Sequence, residues 1–90
     1  MAKTTIKVRG DEVTVDPSVL EEWAAFEAMA ALESDQVSSM GKAQATFDLA
    51  ELVSGLTKDD IVRRSGGPTA KTADVIGYAL EVIQGATPKN

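Results

Sequence analysis

The sequence predicts a mainly α domain with a short N-terminal β-hairpin, an α+β chain of about four helices. Three observations predict it. Residues 3–15 alternate polar and apolar and are rich in Thr, Ile and Val. At Asp16-Pro17 the apolar period changes from two to about 3.6. Beyond that point, polar or glycine-bearing breaks divide the chain into segments of helical period. With 90 residues, the expected organisation is a single domain over 1–90. It comprises a hairpin at 3–15, a helical body at 17–85 and a frayed tail at 86–90.

Taken in order, "TTIKV" and "EVTV" are short strands on either side of Arg9-Gly10-Asp11, where Gly10 accepts a positive φ. A two-stranded hairpin is marginal alone, so it must pack on the helices. Asp16 is placed to cap the first helix with its carboxylate, and Pro17 suits the first helical position. That helix is expected from about 17 to 32 or 33. At 100° per residue, Val19, Trp23, Phe26 and Ala30 form one stripe, which is expected to be the core face with Trp23 as its anchor. Ala25, Ala28, Met29 and Leu32 form a second apolar face on the other side, expected to stay available to a partner.

"SDQVSSMG" breaks that helix, and the second begins near Ser39 or Gly41 and ends at Ser54-Gly55. It is also two-sided. Leu49, Leu52, Val53 and Leu56 make one strip, and Ala43, Phe47 and Ala50 make another. One strip is core and the other faces a partner; four contiguous aliphatics favour the leucine strip as core. Thr57 caps a short third helix with Asp59 and Asp60 in its first turn, which Ser65-Gly66-Gly67-Pro68 stops. The last helix starts at Thr69 or Thr72 and reaches Gln84, with Val75, Ile76, Ala79, Leu80 and Ile83 inward and Gly85 just past its end.

Charge is unevenly distributed. Between residues 16 and 60 ten acids stand against two lysines, a net −8 within a chain of net −5. Such a surface repels nucleic acid and anionic membranes, so neither is an expected partner; a basic protein segment is. There is no apolar run of membrane-spanning length and no apolar segment after Met1, so the expected location is the cytoplasm.

Catalytic chemistry finds little support. The chain has no His and no Cys, which removes the commonest bases, nucleophiles and zinc ligands. Glu21-Glu22 and Asp59-Asp60 are adjacent pairs, which diverge on a helix and cannot act as a carboxylate dyad; capping and dipole roles explain them. No spacing fits a calcium loop. "SGGPTAKT" lacks the glycine before Lys71 that a phosphate-binding loop requires, and Pro68 removes a donor. The Asp-Ser-Leu triplet of acyl carrier proteins is absent, since Pro17 separates Asp16 from Ser18. No catalytic residue, cofactor or metal is therefore expected.

The layout of "KTTIKVRGDEVTVD", then Pro17, Leu20, Trp23, Phe26 and Glu27 at P-x-x-L-x-x-W-x-x-F-E spacing, then a helix with paired acids and a last "V-I-x-x-A-L-x-x-I" helix, resembles the tail assembly chaperones of long-tailed bacteriophages. The resemblance spans about residues 4–84 and is sharpest over 10–32. It implies a non-catalytic protein that binds the long helical tape measure protein, keeps it soluble while tail tube subunits assemble, and is absent from the mature virion. It also implies that a longer frameshift product can exist. Surplus apolar faces on two helices suggest a homo-oligomer as well. Candidate partner contacts are Met29, Leu32, Phe47, Leu49, Leu52 and Leu56. The alternatives are a small structural connector built permanently into a phage or bacterial assembly, and an acidic nucleic-acid mimic, which the apolar second faces disfavour.

Overall fold

The computed structural model describes residues 3–87. Strands β1 (Thr4–Val8) and β2 (Asp11–Val15) pair antiparallel, with Val8 opposite Asp11 and Thr4 opposite Val15. Arg9 and Gly10 alone make the turn, with φ of 53° and 89°. Two positive φ values are what a tight hairpin turn with the twist of its strands demands. Arg9 is an unusual residue for that conformation. Its side chain is held over α4 (Thr72–Ala86). The guanidinium donates to Glu81 Oε2 and to the Asp74 carbonyl, each at 3.0 Å, and lies 5.7 Å from the Tyr78 ring centre. Val8, Val13 and Val15 point inward, and the other strand residues are exposed or half-buried, as alternation requires.

The first helical segment is not continuous. Asp16 Oδ1 accepts from the Ser18 amide at 3.1 Å and the Ser18 hydroxyl at 2.6 Å. Those bonds hold a 3-10 turn over Pro17–Glu21, after which Glu22 is extended (φ −83°, ψ 155°). Only then does α1 (Trp23–Glu33) begin. The interruption resets the helical phase. Val19 packs in the main core beneath the hairpin, whereas Trp23 and Phe26 are exposed. The expectation of Trp23 as a core anchor is thus overturned.

Helix α2 (Ser39–Ser54) is the central element. Ser38 Oγ caps it by accepting from the Gly41 amide, and Gly55 ends it in the left-handed region (φ 78°). The Asp16 amide donates to the Val53 carbonyl at 2.8 Å, fixing the end of β2 to the end of α2. One side of α2, through Ala50 and Val53, joins β1, β2 and α4 in the main core. The other, through Ala45 and Leu49, meets Ala25 and Ala28 of α1 in a smaller cluster. Because the helix lies between two layers, Leu49 and Val53 of the leucine strip and Ala50 of the other strip are buried, and Leu52, Leu56, Ala43 and Phe47 are half-buried. The two layers are not local in sequence, so periodicity alone leaves one strip of α2 without a partner.

Helix α3 (Lys58–Arg64) has the expected capping box: Thr57 Oγ1 accepts from the Asp60 amide, and Asp60 accepts from the Thr57 amide. In α4 the buried face is Val75, Tyr78, Ala79, Val82 and Ala86. Leu80, expected inward, is 40% exposed. Gly85 is not a helix terminator but lies within α4, where an added Cβ would collide with Ile6. Gly77 similarly leaves room for Arg9, whose Nη2 lies 2.8 Å from where a Cβ would be. Two glycines thus let the hairpin lie close on α4. The expected tail differs too: Ala86 is buried within α4, Thr87 hydrogen-bonds to the Ile83 carbonyl, and the rest of the tail lies outside the described residues.

Candidate functional site

The candidate site is the outer surface of α1 with the furrow beside it. Trp23 is 69% and Phe26 55% exposed, and their rings stack with centroids 5.2 Å apart. At 100° per residue, Ala30 continues this stripe, and Glu27 and Glu33 lie on its two sides. All of these are exposed. The opposite side of α1, with Ala25, Ala28, Met29 and Leu32, packs on α2. This inverts the expected assignment of the two faces. Alanines let two helix backbones approach closely, and no indole fits between helices at that spacing. The large rings are consequently left outside. Burying a tryptophan and a phenylalanine would stabilise the chain by a few kcal/mol, so their exposure leaves substantial binding potential unused.

The six candidate contacts are distributed differently. Leu49 is 1% exposed and belongs to the core. Met29, Leu32 and Leu52 are half-buried against the smaller cluster, and Phe47 and Leu56 are half-buried against the main one. None presents a free apolar face comparable to that of Trp23 and Phe26. Sequence reasoning missed this aromatic pair as a surface feature. The signal was the Asp16-Pro17-Ser18 start, which favours a tight turn over a regular first turn of helix.

A groove of about 870 Å³ adjoins this stripe, between α1 and α2. Its apolar lining includes Ala24, Ala28, Ala31, Ala45 and Leu52. Its charged lining is Glu27, Asp48 and Glu51, with no lysine or arginine. Gln44 Nε2 donates to Asp48 Oδ1 at 2.9 Å and orients that carboxylate. A smaller hollow of about 260 Å³ lies among α2, α3 and α4, lined by Phe47, Val62 and Val75.

The titratable groups with shifted pKa values serve the fold. Hydrogen bonding to Ser18 holds Asp16 below the usual carboxylate range, and Thr57 does the same for Asp60. Burial pushes the Tyr78 hydroxyl upward; it donates to Asp11 at 3.0 Å and accepts from Arg64 at 3.4 Å. Among the described residues, no group of three or more His, Cys, Asp or Glu is placed to hold a metal ion. Among them, too, no helix is long and apolar enough to cross a membrane. No protein-family model matches the chain, and no match was found among curated proteins or solved structures.

Proposed function

We propose that the chain is a non-catalytic holding protein of the tail assembly chaperone kind. In this proposal it covers apolar surface on a long helical client, the tape measure protein, within the host-cell cytoplasm and leaves before the particle is complete. What supports the reading is the stacked Trp23–Phe26 pair, exposed on a helix whose inner face is already satisfied. Aromatic side chains supply large contact area with little rotamer entropy to lose, which suits them to anchor a partner. Copies of the chain cover the same stripe when no client is present, so self-association and client binding compete. The acidic stretch from 16 to 60 keeps this apolar surface soluble.

The test is co-expression with the tape measure protein. The wild-type chain is expected to keep the client in the soluble fraction. The double variant Trp23→Ala/Phe26→Ala is expected to fold, by circular dichroism, and to lose that ability. A double variant that holds the client as well as wild type overturns the proposal. Purified particles are expected to lack the chain; finding it there would make it a permanent connector instead.

A further inference from the structure

We propose that the groove between α1 and α2 is the seat of a basic amphipathic helix from another protein, lying alongside the Trp23 stripe. This rests on the holding function above and specifies the chemistry of the segment held. The groove runs beside α2 from Gly41 to Gly55. At about 1.5 Å per residue that is roughly 21 Å, or about four helical turns. Its apolar surface is made of alanines and Leu52, so a helix can approach closely and leave its own larger side chains to contact Trp23, at the near edge of the stripe beside Glu27. Gly41 has a local explanation, since a Cβ there would lie 2.7 Å from Val37, so the groove does not depend on it.

Charge identifies the occupant. Glu27 on α1 faces a groove whose other charged residues are Asp48 and Glu51 of α2, and no cation lines it. Glu27 also borders the Trp23 stripe, so one carboxylate serves both surfaces. A segment with an apolar stripe flanked by Lys or Arg meets this pattern, and an acidic segment is repelled by it.

A second copy does not fit. Among the described helices, α1 and α4 contain no Lys or Arg at all. Helix α2 has Lys42 alone, which does not line the groove, and α2 is itself one wall of the groove. α3 does contain Lys58, Arg63 and Arg64, but with 7 residues it is too short for four turns. Two copies meeting groove to groove would also place like charges against each other.

The probe is a synthetic helical peptide of about five turns with a Leu/Ala stripe flanked by lysines, compared with the same peptide carrying Glu for Lys. Full-length protein is titrated with each, and backbone amide signals are followed by NMR. The lysine peptide is expected to shift Ala24, Ala31, Asp48 and Leu52, and the glutamate peptide is expected not to bind. Glu27→Lys/Glu51→Lys is expected to weaken binding of the lysine peptide by roughly tenfold or more. Glu12→Lys/Asp59→Lys, the same charge change on exposed sites away from the groove, is expected to lose much less. Equal loss in both variants, equal binding of both peptides, or shifts confined to the hairpin and α4 would each overturn the inference. So would sedimentation showing that self-association is abolished by Glu27→Lys/Glu51→Lys and untouched by Trp23→Ala/Phe26→Ala. In co-expression with the tape measure protein, if the groove variant still holds the client and the aromatic variant does not, the groove is wrong and the holding function stands. If both variants hold it, both proposals fall.

Discussion

Tyr78 and Trp23 are the largest side chains of α4 and α1, and they have opposite fates. Tyr78 is fully buried beneath the hairpin, with its hydroxyl between Asp11 and Arg64. Trp23 stacks on Phe26 in solvent, and alanines fill the interior side of its helix. The difference lies in what each helix packs against. Gly77 and Gly85 leave room for Arg9 and Ile6 of the hairpin, which lies close on α4 and packs its valines in one core with Tyr78. Helix α1 meets another helix along small residues, where close approach excludes rings. Side-chain size therefore sets how much burial is worth but not which face is buried. The α4 side buries its ring in the core, and the α1 side leaves two rings in solvent.

The largest effect that separates these regions is expected at Tyr78. Tyr78→Ala should cost about 3–5 kcal/mol in chemical denaturation, as for other buried aromatics, and leave Asp11 without its donor. A loss below about 1 kcal/mol would erase the contrast with Trp23. Next is Ala25→Leu, which overfills the α1–α2 contact at a fully buried position. It should cost about 1–3 kcal/mol. If it is stabilising, the helices are not closely packed and the reason given for expelling the rings fails.

Tyr78→Phe is milder and tests the polar contacts of the Tyr78 hydroxyl, at about 0.5–1.5 kcal/mol. It carries a pH signature as well. The tyrosine pKa is raised in the folded protein, so the neutral form is favoured and its contribution is complete below the ordinary tyrosine range. That contribution is lost as pH rises through the raised value. Wild type should therefore lose more stability than Tyr78→Phe in alkaline titration. Asp16 and Asp60 act at the other end. Their lowered values stabilise the fold fully above the ordinary carboxylate range, and that contribution is lost as pH falls below it through the lowered values. The smallest effect is Trp23→Ala, expected within about 0.5 kcal/mol of wild type in stability despite the size of the residue removed. A loss comparable to that at Tyr78 would show that the indole packs on the fold in solution.

Much of the local structure was legible. The alternation of residues 4–15, the Thr57 cap and the Gly55 terminator are short-range devices, and each appears where its residues are. The site was less legible. Whether Val19 and Trp23 share a face depends on one extended residue, Glu22, and the two faces of α1 are both apolar, so periodicity alone cannot orient them. The role of Gly85 was misread because a glycine near the end of a helix signals termination locally, whereas here it answers Ile6 from a strand far away in sequence.

The sequence by itself determined the hairpin, the breaks that separate the helical segments and that residues 16–60 are acidic, because those properties depend on neighbours within a few positions. Only the tertiary structure decided that α2 is packed on both sides, that α1 presents its aromatics outward, and that Glu27, Asp48 and Glu51 line one groove. Those outcomes depend on which surfaces meet across long sequence separations, and two faces of similar hydrophobicity are distinguished only by how well each fits the surface opposite.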